Sequence, residues 1–149
     1  MQNFNVLQPT SNVTFNLVQP LNSISILKGY GFINIEETNS ISIYVNNDTT
    51  QSDYLSLLLY SYPNFPYIQQ SYGPYNQICR LDNNTNFSFE FRINPYGNII
   101  CSGEFVTNNQ YFKSVISNNT NNNLRYNSIT IATNSDINLF ASNSNFILQ

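Results

Sequence analysis

Apolar and polar residues alternate with a period of two along much of this chain. Ile41, Ile43 and Val45 alternate with serine and tyrosine, and Ile24 and Ile26 flank a serine. This period is typical of β-strands with one buried face, whereas the 3.6-residue period of amphipathic helices is almost absent. Clusters of turn-forming residues separate the runs at 37–40, 46–52 and 63–75. Short strands with turn signals at such spacing predict a β-sandwich or a β-barrel.

The clearest single element is a β-hairpin. Residues 87–93 alternate apolar residues, mostly phenylalanine, with serine, glutamate and arginine, and the segment 94–98 (NPYGN) supplies proline and glycine for a turn. If Ile93 pairs with Ile99, Cys101 falls on the phenylalanine face of the hairpin. This register predicts that the phenylalanine row and Cys101 are buried.

The remaining pattern predicts further strands and no division of the chain. Residues 54–60 (YLSLLLY) are apolar on both faces, which is typical of a central strand. Other strands are predicted at 111–116, 126–132 and 137–141, with the tail 146–148 closing a sheet edge. No linker, composition break or repeat interrupts the sequence. We therefore predict one domain over residues 1–149, an all-β antiparallel two-sheet sandwich of jelly-roll type.

The low charge of the chain argues against some classes of binding partner and in favour of others. Only 9% of residues are charged and the net charge is −3. The five basic residues are scattered, so we expect no nucleic acid partner and no attraction to an anionic membrane surface. A weakly charged surface also repels its own copies weakly, which makes a homo-oligomer possible. Asparagine is the commonest residue and favours turns.

Targeting and redox signals are weak. No apolar run approaches the roughly 18 residues of a membrane helix, and the N-terminus has neither a basic nor an apolar leader region. We expect a soluble chain without membrane insertion, either cytoplasmic or exported without a visible signal peptide. Cys79 and Cys101 are too few for a disulfide framework, so buried free thiols are expected and one disulfide is the alternative.

Candidate chemistry is sparse, and we predict a protein that is not an enzyme. The chain contains no histidine, which removes the commonest general base and a principal zinc ligand. Most of the eight acidic residues fall in turn-like segments or on outward faces of predicted strands, and the eight are Glu36, Glu37, Asp48, Asp53, Asp82, Glu90, Glu104 and Asp136. No nucleophile or phosphate-binding motif occurs. We expect no catalytic residue, no metal ion and no cofactor.

The most distinctive segment is rich in tyrosine and proline and covers residues 60–75. Rigid aromatic faces beside amide side chains suit sugar rings, and they suit protein interfaces equally well. The candidate ligand-binding residues are Tyr60, Tyr62, Asn64, Tyr67, Gln69 and Tyr72. The alternative interpretation is a long loop whose rings pack over the edge of the sandwich.

From about residue 24 to residue 141 the order of elements resembles the galectin family. In that family a strand and a short loop precede a core strand that ends in a His-x-Asn-Pro-Arg motif, and here 41–45 and 57–65 occupy those places. The run 80–91 is similar to the family's polar bend and its phenylalanine-rich strand, and 126–139 is similar to its closing strands.

The resemblance implies a sandwich that recognises a glycan, with an altered sugar-binding motif. Tyr60 stands where the family has histidine, Tyr62 where it has asparagine, and Asn64 where it has arginine. The chain also has no tryptophan. A conventional β-galactoside ligand is therefore not expected.

Two function hypotheses follow from these observations. The first is a non-catalytic, galectin-like recognition module that binds a carbohydrate or a protein partner through the tyrosine- and proline-rich segment. The second is a self-assembling structural protein, such as the subunit of a coat, a fibre or a crystalline inclusion.

Overall fold

The computed structural model describes residues 2–16, 23–34, 39–61, 68–81, 85–94, 97–105, 110–118, 126–133 and 140–149. These residues form twelve β-strands and one short 3₁₀ turn, Gln51–Asp53. The strands are β1 (Gln2–Asn5), β2 (Asn12–Asn16), β3 (Ser25–Ile33), β4 (Asn39–Val45), β5 (Tyr54–Tyr60), β6 (Gln69–Gly73), β7 (Gln77–Leu81), β8 (Thr85–Ile93), β9 (Ile99–Phe105), β10 (Gln110–Asn118), β11 (Ser128–Thr133) and β12 (Asn145–Leu148). Nothing helical in these ranges is long and apolar enough to cross a membrane.

The strands form two antiparallel sheets, which confirms the predicted all-β two-sheet sandwich. The large sheet has eight strands in the order β1-β12-β3-β8-β9-β10-β5-β6, and the small sheet has four in the order β2-β11-β4-β7. The inner faces of the two sheets enclose one core of buried residues. We call the face of the large sheet that is turned away from the small sheet the outer face. The finer jelly-roll assignment stays a prediction.

The predicted hairpin is confirmed as β8 and β9, in the predicted register. Ile93 pairs with Ile99 and Phe91 pairs with Cys101. The phenylalanine row of β8 is buried and packs against further aromatic rings from β9, β10 and β12. Each fully buried ring contributes roughly 1.5–3 kcal/mol relative to an exposed one. This row therefore fixes which face of the large sheet points inward.

Asparagine shapes the connection between β4 and β5. Asn46 and Asn47 have φ angles of 53° and 59°, and the Asp48 N–H donates to the Val45 carbonyl at 3.0 Å. Two consecutive positive φ angles are typical of a type I′ turn, which asparagine tolerates. Here the turn leads the chain from the small sheet to the large sheet. The abundance of asparagine thus has a structural use at this turn.

Three sequence predictions need correction. The predicted turn region 63–75 contains strand β6, whose polar sequence lacks apolar alternation and which pairs with β5. Strand β5 is next to the sheet edge and not central. The tail strand β12 does not close an edge, because β1 pairs with its other side. Most of the strand predicted at 137–141 lies outside the described residues.

The two cysteines are free and fully buried, which confirms the thiol prediction. Cys79 lies on β7 and Cys101 on β9, in opposite sheets. Burial raises the pKa of both thiols, and the neighbouring Cys79 raises that of Cys101 further. Both side chains therefore act as small apolar core residues.

Candidate binding surface

The outer face of the large sheet carries two parallel rows of polar side chains. Strand register places one residue from each of β3, β8, β9 and β10 in each row. The first row is Tyr30, Ser88, Glu104 and Tyr111, and the second row is Lys28, Glu90, Ser102 and Lys113. All of these side chains are exposed. With neighbouring strands about 4.8 Å apart, each row is roughly 14 Å long.

The sequence places these residues outward because their neighbours are buried. Phe87, Phe89 and Phe91 are 0–3% exposed, so the intervening Ser88 and Glu90 must face solvent. On β9 the residue between the two outward positions is a glycine, and the Phe112 ring packs close beneath it. The polar rows are thus fixed by the packing of the core under them.

A depression of about 480 Å³ lies along the two rows. Tyr30 and Tyr111 line it from opposite sides and are 50% and 54% exposed. The Tyr30 hydroxyl accepts a hydrogen bond from Asn145 Nδ2 at 3.0 Å, which orients that ring. Two exposed aromatic faces therefore flank a floor of serine, glutamate and lysine side chains.

A second depression of about 440 Å³ adjoins the first and is mainly apolar. Its lining includes Leu59, Tyr60, Ile68 and Tyr111, so Tyr111 borders both depressions. The Tyr111 N–H donates to Ser61 Oγ at 2.9 Å, and the Ser61 N–H donates to the Tyr111 carbonyl at 2.9 Å. These bonds tie the position of Tyr111 to the end of β5.

The structure does not bring the described members of the predicted ligand site to one face. Tyr60 is half-buried and packs against the core, although it also lines the apolar depression. Gln69 pairs with Tyr60 and faces the same way, whereas Tyr72 points to the outer face and is 69% exposed. Tyr62, Asn64 and Tyr67 lie outside the described residues. The binding role of all six stays a prediction.

The charges of the two rows are balanced. Two lysines and two glutamates lie in the two rows, and Glu90 is directly opposite Lys28 in the neighbouring strand. Arg92, the next outward residue of β8, lies outside the rows. The floor therefore offers hydrogen-bond acceptors and donors in mixed order, with no excess of either sign. Such a surface suits an uncharged, hydroxyl-rich ligand better than an anionic polymer, which needs clustered basic groups.

The described acidic residues lie in two separate groups. Glu90 and Glu104 are diagonal neighbours on adjacent strands, about 7–8 Å apart, and both line the first depression. Asp48 accepts hydrogen bonds from the Thr50 N–H and from Asn118 Nδ2. Desolvation and then the Asp48 carboxylate raise the pKa of Asp53. In the described ranges no three acidic or cysteine side chains group to hold a metal ion.

Sequence reasoning missed most of this surface. The alternation of β8 marks Ser88 and Glu90 as outward, but it does not tell which strands flank the hairpin. Tyr30 and Tyr111 join the surface only because β3 pairs with β8 and β10 pairs with β9. The sequence therefore carries no signal that these two tyrosines share a surface.

No protein-family profile matches this chain, and no curated protein sequence shows significant similarity to it. The galectin resemblance therefore stays a prediction.

Proposed function

We propose that this protein is a non-catalytic recognition module that binds a carbohydrate on the outer face of the large sheet. The observation that supports this most directly is the pair of exposed tyrosines, Tyr30 and Tyr111, at opposite sides of a charge-balanced polar floor. Sugar rings stack their C–H faces on aromatic rings, while their hydroxyls exchange hydrogen bonds with carboxylate, hydroxyl and ammonium groups.

The same surface argues for a short neutral oligosaccharide. A row of roughly 14 Å exceeds the width of one sugar ring, so a ligand that touches both tyrosines needs more than one residue. Lys28 and Lys113 alternate with glutamates and serines and do not form a basic cluster. Because the depression is open, each site binds weakly, and a dissociation constant near 1 mM corresponds to only about −4 kcal/mol.

The test begins with a glycan array, probed with the protein displayed in several copies on a carrier so that weak sites are detected by avidity. The best-binding glycan is then titrated into the free protein by NMR. Tyr111→Ala is expected to weaken that binding at least tenfold, because Tyr111 borders both depressions. Tyr72→Ala is the matched control, since Tyr72 is an exposed tyrosine on the same face that lines neither depression.

If no glycan on the array binds the protein, and added sugar causes no NMR shift changes, the proposal is overturned. Loss of binding in Tyr72→Ala with retention in Tyr111→Ala would move the site to the sheet edge, near the tyrosine- and proline-rich segment.

Self-assembly is the second candidate function, and one observation favours it. An apolar row on the outer face, Ile100, Val115, Leu57 and Tyr72, runs across β9, β10 and β5 to the edge strand β6. Leu57, Ile100 and Tyr72 are 37%, 38% and 69% exposed. Exposed apolar rows that reach a sheet edge are typical of contact surfaces.

A further inference from the structure

Strand β6 is an edge strand of the large sheet. Residues Gln69–Gly73 pair with β5 in an uninterrupted register. Among the residues that the structure describes, no strand pairs with the other side of β6. An edge strand presents a row of backbone N–H and C=O groups. The best hydrogen-bonding partner for such a row is another β-strand.

This edge lacks the features that normally prevent pairing. The sequence QQSYG contains no charge and no proline, and the pairing with β5 contains no bulge. The adjacent β5, YLSLLLY, is uncharged as well. By contrast, the edge strand β7 of the small sheet contains Arg80 and shows a register shift against β4. Charges, prolines and bulges are the usual protections of sheet edges.

We propose that two copies of this chain associate by antiparallel pairing of their β6 strands, so that the two large sheets form one continuous sheet. This inference rests on the proposal that the chain assembles. In the pairing centred on Ser71, Gln70 of one copy faces Tyr72 of the other, and Gln69 faces Gly73. The contact is isologous, because the same five residues are used by both copies around a two-fold axis.

Three observations favour a second copy as the occupant. The register centred on Ser71 uses all five residues of β6 and keeps Pro74, which has no N–H, outside the pairing. On the outer face it makes the two Tyr72 side chains diagonal neighbours across the new strand pair, a spacing at which aromatic side chains still reach each other. It also brings no like charges together, since neither β5 nor β6 carries a charge.

The opposite edge of the large sheet is a weaker candidate. Strand β1, QNFN, points Asn3 and Asn5 toward the outer face, where their side chains are exposed, and no apolar row continues to it on that face. A pairing of five residues on each side buries a small area, so the dimer is expected to be weak and concentration-dependent.

The test is sedimentation velocity of the full chain at increasing concentration, up to about 1 mM, where weak interfaces are occupied. The wild type is expected to shift from monomer to dimer. Gln70→Lys is expected to weaken the dimer at least tenfold, because it adds a charge to an uncharged edge on an exposed side chain. Asn3→Lys is the matched control, since it places the same charge on the other edge, and it is expected to leave the dimer unchanged.

A charge-exchange variant tests the register. In Gln70→Glu/Tyr72→Lys the new carboxylate of one copy faces the new ammonium of the other. The two-fold symmetry of the dimer creates two such ion pairs. This double variant is expected to dimerise more strongly than either single variant. Failure to do so would overturn the register centred on Ser71.

Two other outcomes separate the inference from the assembly proposal. A wild type that stays monomeric at every concentration would overturn assembly itself. A wild type that dimerises but is dissociated by Asn3→Lys and not by Gln70→Lys would keep assembly and overturn the β6 interface. Far-UV circular dichroism of each variant checks that the fold is retained.

Discussion

The hydroxyl of Tyr54 is the most informative single group for testing how the sandwich is held together. Tyr54 is fully buried. Its hydroxyl accepts a hydrogen bond from the Val45 N–H at 3.0 Å and donates one to the Asp48 carbonyl at 2.7 Å. It therefore bridges the first residue of β5 to the turn that follows β4, and Tyr54→Phe removes this bridge while keeping the ring.

The expected cost follows from the two groups that lose a partner. Val45 is fully buried, so its N–H is left without water, and an unsatisfied buried donor costs about 1–3 kcal/mol. Asp48 is only partly buried, so its carbonyl can be hydrated and adds little. We expect Tyr54→Phe to lower the free energy of unfolding by about 2 kcal/mol. For a chain of this size that corresponds to a melting temperature lower by about 4–8 °C.

Urea unfolding followed by far-UV circular dichroism measures this change, since the chain has no tryptophan for fluorescence. The control is Tyr30→Phe, whose hydroxyl bonds Asn145 on the exposed outer face. That variant should change the free energy of unfolding by no more than about 0.5 kcal/mol. If Tyr54→Phe behaves like this control, the proposed bridge does not stabilise the fold.

The same residue predicts a pH dependence. Burial raises the pKa of Tyr54 from 10.0 to about 12. The folded state therefore holds the proton more tightly than the unfolded state. The stabilisation is fully present below about pH 10 and is lost as the pH rises through about 12. The difference in the free energy of unfolding between wild type and Tyr54→Phe should thus shrink over this window. The contributions of the other tyrosines are the same in both proteins and cancel in the difference. A constant difference would contradict the assigned cause.

Two further predictions concern the core. Gly103→Ala would place a Cβ 2.8 Å from the Phe112 ring and 2.5 Å from a backbone carbonyl of β8, so we expect a loss of about 1–3 kcal/mol in urea unfolding. Gly97→Ala is the milder control, because its Cβ would meet only a side-chain amide at 3.3 Å. Equal losses of unfolding free energy in the two variants would refute the packing argument. Cys79 and Cys101 should resist a thiol reagent in the native protein and both react after unfolding, because both are fully buried. Rapid labelling without denaturant would show that the core opens.

The hairpin of β8 and β9 could be predicted in full because two signals agree. The phenylalanine alternation defines the buried face, and the turn between Ile93 and Ile99 fixes the register. A slip by one residue would turn the whole phenylalanine row to solvent, so only one register is compatible with the pattern. Strand β4 was predictable for the same reason, since Ile41, Ile43 and Val45 are all fully buried.

Strand β3 shows where alternation is insufficient. Ile24 and Ile26 alternate with serine, yet Ser25 and Leu27 point to the core, and Ile24 is 52% exposed. The reason is the pairing with β8, which places Leu27 beside Phe91 on the buried side. A period of two indicates a strand, but the neighbouring strand decides which face is buried.

The candidate binding surface could not be predicted as a unit. Its residues come from four strands, and each is marked by sequence only as an outward polar position. Their proximity depends on the strand order β3-β8-β9-β10, which local patterns do not encode. Strand β6 was missed for a different reason, because its stability comes from pairing with β5 and not from a buried apolar face.

The distribution of charge across the outer face connects the two proposals and keeps them separable. In a chain with only 9% charged residues, five charged residues of the outer face all lie on β3, β8, β9 and β10, and they are Lys28, Glu90, Arg92, Glu104 and Lys113. Strands β5 and β6 carry none. A hydroxyl-rich ligand needs the mixed donors and acceptors of the first group, whereas strand pairing needs the uncharged edge of the second. Tyr111→Ala should therefore lose glycan binding and keep self-association, and Gln70→Lys should do the reverse.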